Sequence, residues 1–175
     1  MKKVLILTTD TVHHVYFCQE LRRKFRDIDF FVMEEANQKV KDSADTDFSR
    51  QQKVYEEELW FKDFIGIIGV HGTNPTKKPI PKLNSIKVDN VNRHASLDWI
   101  FNLEPDLIVV YGTGRIGQEL IKQFEGIIVN LHGGDAEKYR GLDSHLWAVY
   151  HNDFDSFFVT LHHVNEKFDD GYKIV

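Results

Sequence analysis

Asn130, His132 and Asp169 are the residues whose types and spacing could do chemistry together. The first two lie two positions apart in the apolar run Ile127-Ile128-Val129-Asn130-Leu131-His132, which ends in Gly133-Gly134. Side chains alternate along a strand, so Asn130 and His132 point to the same side. Asp169 follows in Phe168-Asp169-Asp170-Gly171, beside a glycine turn. An amide N–H can hold an oxyanion as it forms, and an imidazole exchanges protons near neutral pH. A carboxylate closing on that imidazole, directly or through a water, favours its charged form and raises its pKa. Those are the parts of an acyl transfer with proton relay.

Such a trio needs a rigid frame, and the flanking pattern predicts one. Residues 3–7 read as a buried strand, residues 8–14 as a polar loop, 15–25 as a helix and 28–33 as a second strand closed by Glu34-Glu35. This opening predicts a mostly parallel sheet with helical crossovers. Residues 36–63 are expected to include a long amphipathic helix through Tyr55, Leu59 and Trp60, and 72–81 a proline-rich loop. Then come a short strand over 86–88, a helix over 96–103 stopped by Pro105, and a strand over 106–111. A helix through Leu120, Ile121 and Phe124 precedes the Asn130 strand, and a helix over 146–150 and a strand over 157–162 follow it. Asn130 and His132 then stand at the carboxyl end of a parallel strand, where open α/β sheets keep their ligands. The expected class is three-layer α/β.

The 175 residues suffice for one domain with a real core. A net charge of −5 and a pI near 6.0 argue against nucleic-acid binding, which wants a basic face. The single cysteine, Cys18, excludes an internal disulfide and suits a reducing cytoplasm. With Val15, Leu21 and Phe25 at helical spacing, it reads as packing. No apolar run approaches the ~18 residues of a membrane span.

Two further motifs offer rival chemistry. Gly112-Thr113-Gly114-Arg115-Ile116-Gly117 matches the dinucleotide fingerprint between a strand and a helix. The next strand ends in Asn130, not in the acid that would hold a ribose hydroxyl, and a tight strand-to-helix turn explains the glycines equally well. A metal cluster of His13, His14, Glu34 and Glu35 is disfavoured, because adjacent histidines on an extended loop point opposite ways. His162-His163 meets the same objection.

The order Asn130-x-His132, Lys138-Tyr139-Arg140-Gly141, Trp147-Ala148, Val159-Thr160-Leu161-His162 and Asp169-Asp170-Gly171 closely resembles the 10-formyltetrahydrofolate-dependent formyltransferase family. That family includes glycinamide ribonucleotide transformylase, methionyl-tRNA formyltransferase and the sugar N-formyltransferases. The resemblance is dense over residues 105–175 and rests elsewhere on the strand-helix-strand pattern. It implies a Rossmann-like three-layer fold and one catalytic domain over residues 1–175. It further implies 10-formyltetrahydrofolate as formyl donor, and Asn130, His132 and Asp169 as catalytic residues. The same resemblance puts the folate in a cleft lined by residues 111–121 and 164–169, with Gly112, Gly114, Ile116 and Asp169 as its contacts. Ile116, Leu120 and Ile121 would suit an apolar pterin pocket, though the last two fit the inner face of a helix as well.

The sequence departs from the family where Pro-Ser usually follows the histidine. Here Gly133-Gly134-Asp135 stands on the acceptor side. The chain also stops at Val175, inside an expected strand, where family members continue with more sheet and helix. It is either truncated or a minimal member, and a truncated one would lack a region able to carry homodimer contacts. A net charge of −5 argues against transfer RNA as the acceptor. Glycinamide ribonucleotide would want a glycine-rich phosphate loop after strand one, where Thr8-Thr9-Asp10-Thr11-Val12-His13-His14 has none. The glycine pair and His13-His14 look more like formyltransferases of surface-polysaccharide pathways such as lipopolysaccharide O-antigen synthesis, acting on nucleotide-linked amino sugars. His13, His14, Tyr139 and Arg140 are the candidate acceptor contacts. Tyr139, Trp147 and Tyr150 could stack on a base, although core packing is the commoner fate of such rings.

Overall fold

Consecutive apolar residues make strand β1 (Lys2–Thr8) buried on both faces, as only an interior strand can be. Leu5 and Leu7 point into one half of the core and Val4 and Ile6 into the other. The computed structural model describes residues 1–36, 51, 54–62, 84–141, 144–167 and 169–175. After β1 come helix α1 (Val12–Lys24), β2 (Ile28–Glu35) and, beyond a π-helical turn at Glu56–Trp60, β3 (Asn84–Val88). Then follow α2 (His94–Leu103), β4 (Leu107–Tyr111), α3 (Gln118–Gln123), β5 (Ile128–Gly133), α4 (Ser144–Tyr150) and β6 (Val159–His163).

The sheet runs β3-β2-β1-β4-β5-β6, with every neighbouring pair parallel except β5 and β6. This is the Rossmann-like, mostly parallel α/β arrangement the sequence implied. Strand order reverses between β1 and β4, so the chain leaves these strands in opposite directions and opens a crevice at their carboxyl ends. On one face Leu97 and Ile100 of α2 and Leu120 and Ile121 of α3 pack onto Leu5, Leu7, Ile108 and Ile128. On the other, Cys18 of α1 lies among Val4, Ile6, Phe30, Val32, Val109 and Val129. That burial pushes the Cys18 thiol up to about 12, an inert packing residue as expected.

Four local expectations need correcting. Helix α1 starts at Val12, not after His14, because Thr11 takes the extended conformation of a residue ahead of a first turn. His13 and His14 therefore share one helical turn, with ring centroids 4.2 Å apart, and do not diverge as on an extended loop. Trp147 and Tyr150 are not core residues: they are 53% and 74% exposed. The last strand begins at Val159, since residues 154–156 form a 3-10 turn. The expected helix around Tyr55, Leu59 and Trp60 is helical where described, but those side chains are exposed. The proline-rich loop over 72–81 and Phe168 lie outside the described residues. Among the described residues no helix is long and apolar enough to cross a membrane.

Candidate active site

Asn130 and His132 occupy alternate positions of β5 and face the same side, as their spacing requires. The antiparallel register sets His162 opposite Asn130 and Thr160 opposite His132, so β6 adds a second imidazole to that side. Asp169 reaches the group from the turn after β6, its backbone in the left-handed region at φ 45°. That conformation is uncommon for a residue with a Cβ, and Asp and Asn adopt it more readily than most.

The carboxylate joins the parts. Asp169 Oδ1 accepts from Asn130 Nδ2 at 3.3 Å and lies 3.6 Å from His162 Nε2. Its Oδ2 accepts from the Gly141 N–H at 2.8 Å and lies 3.7 Å from His132 Nδ1. His132 Nε2 donates to the Tyr139 carbonyl at 3.0 Å, which fixes the ring and turns Nδ1 toward Asp169. His132 and Asp169 are both about nine-tenths buried. Burial acts to raise the Asp169 pKa, but His162, the Gly141 N–H and His132 outweigh it and hold the carboxyl below the usual carboxylate range.

His162 was legible as part of the motif but not as a member of the site. Its Nδ1 donates to the His163 carbonyl at 2.9 Å, so in the neutral ring Nε2 carries the lone pair that accepts from Asn130 at 3.1 Å. Burial acts to lower its pKa, yet Asp169 and the His163 carbonyl more than compensate and the balance is upward. Both N–H groups of Asn130 are thus held, one by Asp169 and one by His162. A proton on His162 removes that acceptor and frees one amide N–H. The signal in the sequence was the alternation Thr160-Leu161-His162, which puts His162 on one side of β6 with Thr160.

These groups line a cleft of about 320 Å³ at the carboxyl ends of β1, β4 and β5. Gly112, Gly114 and Ile116 form one wall, Val164, Asn165 and Lys167 another, and His13, His14 and His145 close the remaining side. Ile116, Leu120 and Ile121 all belong to the core, and of the three Ile116 also lines the cleft, the inner-face alternative for the other two. Arg115 donates to the Glu166 carbonyl at 2.8 Å, tying the two walls together.

His14 is wedged into the crevice. Its Nδ1 meets the hydroxyls of Thr9 and Thr11, and its ring lies 4.2 Å from that of Tyr111. A Cβ at residue 112, where φ is 85°, would drive into the His14 ring, so only glycine fits there. Burial first, and the neighbouring His13 second, lower the His14 pKa to about 3, leaving a neutral ring at physiological pH. Tyr139 and Arg140 stand behind the trio and not on the cleft wall. The Tyr139 hydroxyl bonds Asp153 at 3.3 Å, and Arg140 is ion-paired with Asp170.

The family whose model matches this chain is described as formyl transferase, and the match covers residues 13–175. Among solved structures, phosphoribosylglycinamide formyltransferase from Anaplasma phagocytophilum is similar with a TM-score of 0.61 at 12% identity, over 99% of this chain and 70% of that one. Glycinamide ribonucleotide transformylase 1 from Geobacillus kaustophilus gives 0.61 at 16% identity, over 100% of this chain and 80% of that one. Similarity at such identities establishes the shared fold. No curated protein sequence matches the chain.

Proposed function

The chain belongs to the formyl transferase family, and on that footing we propose that it moves a formyl group from 10-formyltetrahydrofolate to the amine of a nucleotide-linked amino sugar. The observation that carries the reading is the meeting of Asn130 and His132 with Asp169, at 3.3 and 3.7 Å, in the lining of the cleft. The donor supplies a formyl group activated on nitrogen. Val110, Ile116 and Val164 give the cleft apolar surface for a flat ring, with Asn130 and Asp169 as polar groups beside it.

As the acceptor amine attacks the formyl carbon, negative charge grows on the formyl oxygen. An N–H of Asn130 stabilises that charge, and His132, whose Nε2 is held by the Tyr139 carbonyl, does so through Nδ1 when that nitrogen carries a proton. Asp169 holds the imidazole and passes the amine proton toward the folate nitrogen as its bond to carbon breaks. Gly112, Gly114, Ile116 and Asp169 serve the donor; His13 and His14 face the acceptor, while Tyr139 and Arg140 support the trio.

For the acceptor, two features favour an amino-sugar nucleotide over a small phosphorylated amine. His14 folds back onto Thr9 and Thr11 where a glycine-rich loop would wrap a phosphate, and Asp10 pairs with Lys87 beside it. Trp147 and Tyr150 stand exposed, available to stack on a base. This assignment puts the enzyme in the cytoplasm, in the synthesis of a surface polysaccharide such as lipopolysaccharide O-antigen. Residues 1–175 form its catalytic domain.

Thermal unfolding with 5-formyltetrahydrofolate, with NAD and with buffer tests the donor site. A ligand that binds only the folded chain raises Tm, so the folate alone should do so. No rise at saturating folate refutes the donor assignment. Mass spectrometry of amino-sugar nucleotides and glycinamide ribonucleotide incubated with the formyl donor then tests the acceptor. Formylation of the ribonucleotide alone overturns the sugar reading.

A further inference from the structure

The glycine signature over residues 112–117 lines the cleft, and its backbone contacts show what holds it there. The Gly114 N–H donates to Glu35 Oε2 at 2.8 Å and the Gly117 N–H to Asn92 Oδ1 at 2.6 Å. Asn92 Nδ2 in turn donates to the Arg115 carbonyl at 2.8 Å. In a dinucleotide site, amides of this segment would turn to a pyrophosphate; here two of them are satisfied by side chains of the same chain. The segment is gripped at three successive points by side chains distant in sequence. Even the last glycine answers to this grip, since a Cβ at residue 117 would lie 2.8 Å from Asn92 Oδ1.

The grips are themselves fixed. Glu35 ends β2 as a buried carboxylate, and its other oxygen accepts from the Val91 N–H at 3.1 Å. Val91 is fully buried in the core beneath α2. Asn92 is set by a short turn, its own N–H donating to Asn90 Oδ1 at 2.8 Å, while Ser96 Oγ donates to the Asn90 carbonyl at 2.9 Å. A buried carboxylate whose oxygens meet two amide donors is costly to place and costly to disturb. Its job here is geometric, because the loop it holds is one wall of the cleft and carries Gly114, Arg115 and Ile116.

We propose that Glu35 and Asn92 are positioning residues that clamp the 112–117 loop in the shape that receives the formyl donor. This rests on the reading that the wall takes the folate, so its test begins with wild-type protein. Calorimetric titration of wild-type chain with 5-formyltetrahydrofolate must show binding; absence of binding refutes the donor assignment itself, whatever the clamp does. Glu35→Ala and Asn92→Ala are then compared with wild type by titration, kinetics and amide hydrogen exchange. The expected result is a donor KM and folate Kd raised at least about tenfold, as a displaced binding wall produces, with acceptor KM unchanged. The Gly114 amide should exchange faster in the first variant and the Gly117 amide in the second. Glu35→Gln keeps one acceptor oxygen for the two amides and should recover part of the donor affinity.

If Glu35→Ala proves too unstable to assay, Asn92→Ala carries the test, since Asn92 is part-buried where Glu35 is buried. Folate affinity unchanged in a folded variant whose glycine amides have become fast overturns the clamp. An equal rise in both substrate KM values also overturns it, because that marks a general loss of structure.

Discussion

Acidification tests the placement of His14 most sharply, because the wedge that closes the crevice works only as a neutral ring. The imidazole is buried, and its pKa falls from 6.5 to about 3. Below about pH 6.5 the unfolded chain takes up a proton that the folded chain refuses. Stability therefore falls with falling pH, and falls until the folded pKa is reached. Between about pH 7 and pH 5 the free and folded titration curves separate by roughly 1.5 log units, worth about 2 kcal/mol of stability lost. Replacing the ring removes this loss, whatever the substitution costs in packing. Urea unfolding of wild type and His14→Gln at about pH 7 and pH 5 reads it directly. The gap between the two proteins should shift in the variant's favour by about 2 kcal/mol on acidification. All other titrating groups are common to both chains and cancel in that difference. A gap constant within about 0.5 kcal/mol over this range would show that His14 is solvated or charged, and the packed wedge would be wrong.

Turnover and stability give three further checks. His132→Ala should retain the fold and lower kcat by about 10² or more, as loss of a general acid or base does, and near-normal turnover removes His132 from the mechanism. Asp169→Asn keeps a side chain that tolerates φ 45° but loses the charge that the surrounding donors favour. Because the Asp169 pKa is depressed, its stabilisation is present above the ordinary carboxylate range and disappears as pH falls. The variant should therefore be less stable than wild type near neutral pH and lose less on acidification, with kcat falling much further than folate affinity. A collapse of folate affinity alone makes Asp169 a ligand contact. Gly112→Ala must both strain a left-handed backbone and push on His14, so thermal unfolding should show a loss of about 2–4 kcal/mol; a loss below about 0.5 kcal/mol shows that the ring is not there.

The parts of this molecule that were legible in its sequence are those set by local rules. Unbroken apolar runs at Leu5-Ile6-Leu7 and Ile108-Val109-Val110 can only be interior strands, and they are the middle of the sheet. The i, i+2 spacing of Asn130 and His132 needs nothing but the pleat of a strand to bring them together. What escaped was set by particular side-chain contacts, some within one turn and some far along the chain. The start of α1 moved because Thr11 and His14 bond each other, which no propensity registers. Trp147 and Tyr150 looked like core residues by type, but α4 is short and buries Ser144 and Ala148 in their stead. Glu35 read as the polar end of a strand, and only the meeting of β2, the Asn90 turn and the glycine loop makes it a buried acceptor.

His162 shows how such a distant partner alters the chemistry of a legible pair. Taken alone, Asn130 and His132 are an oxyanion donor and a proton carrier, both free to act. With His162 neutral, both Asn130 N–H groups are occupied, by Nε2 of that ring and by Asp169. An amide so held has nothing left to offer a substrate oxygen. A proton on His162 turns its Nε2 from acceptor to donor, facing Asp169 Oδ1 at 3.6 Å. The imidazolium and the carboxylate then satisfy each other, and Asn130 regains an N–H for the cleft. The same carboxylate that raises the His162 pKa thus sets how often the amide is available. On this geometry the availability of the Asn130 amide depends on one proton on β6, at His162, which itself lines the cleft.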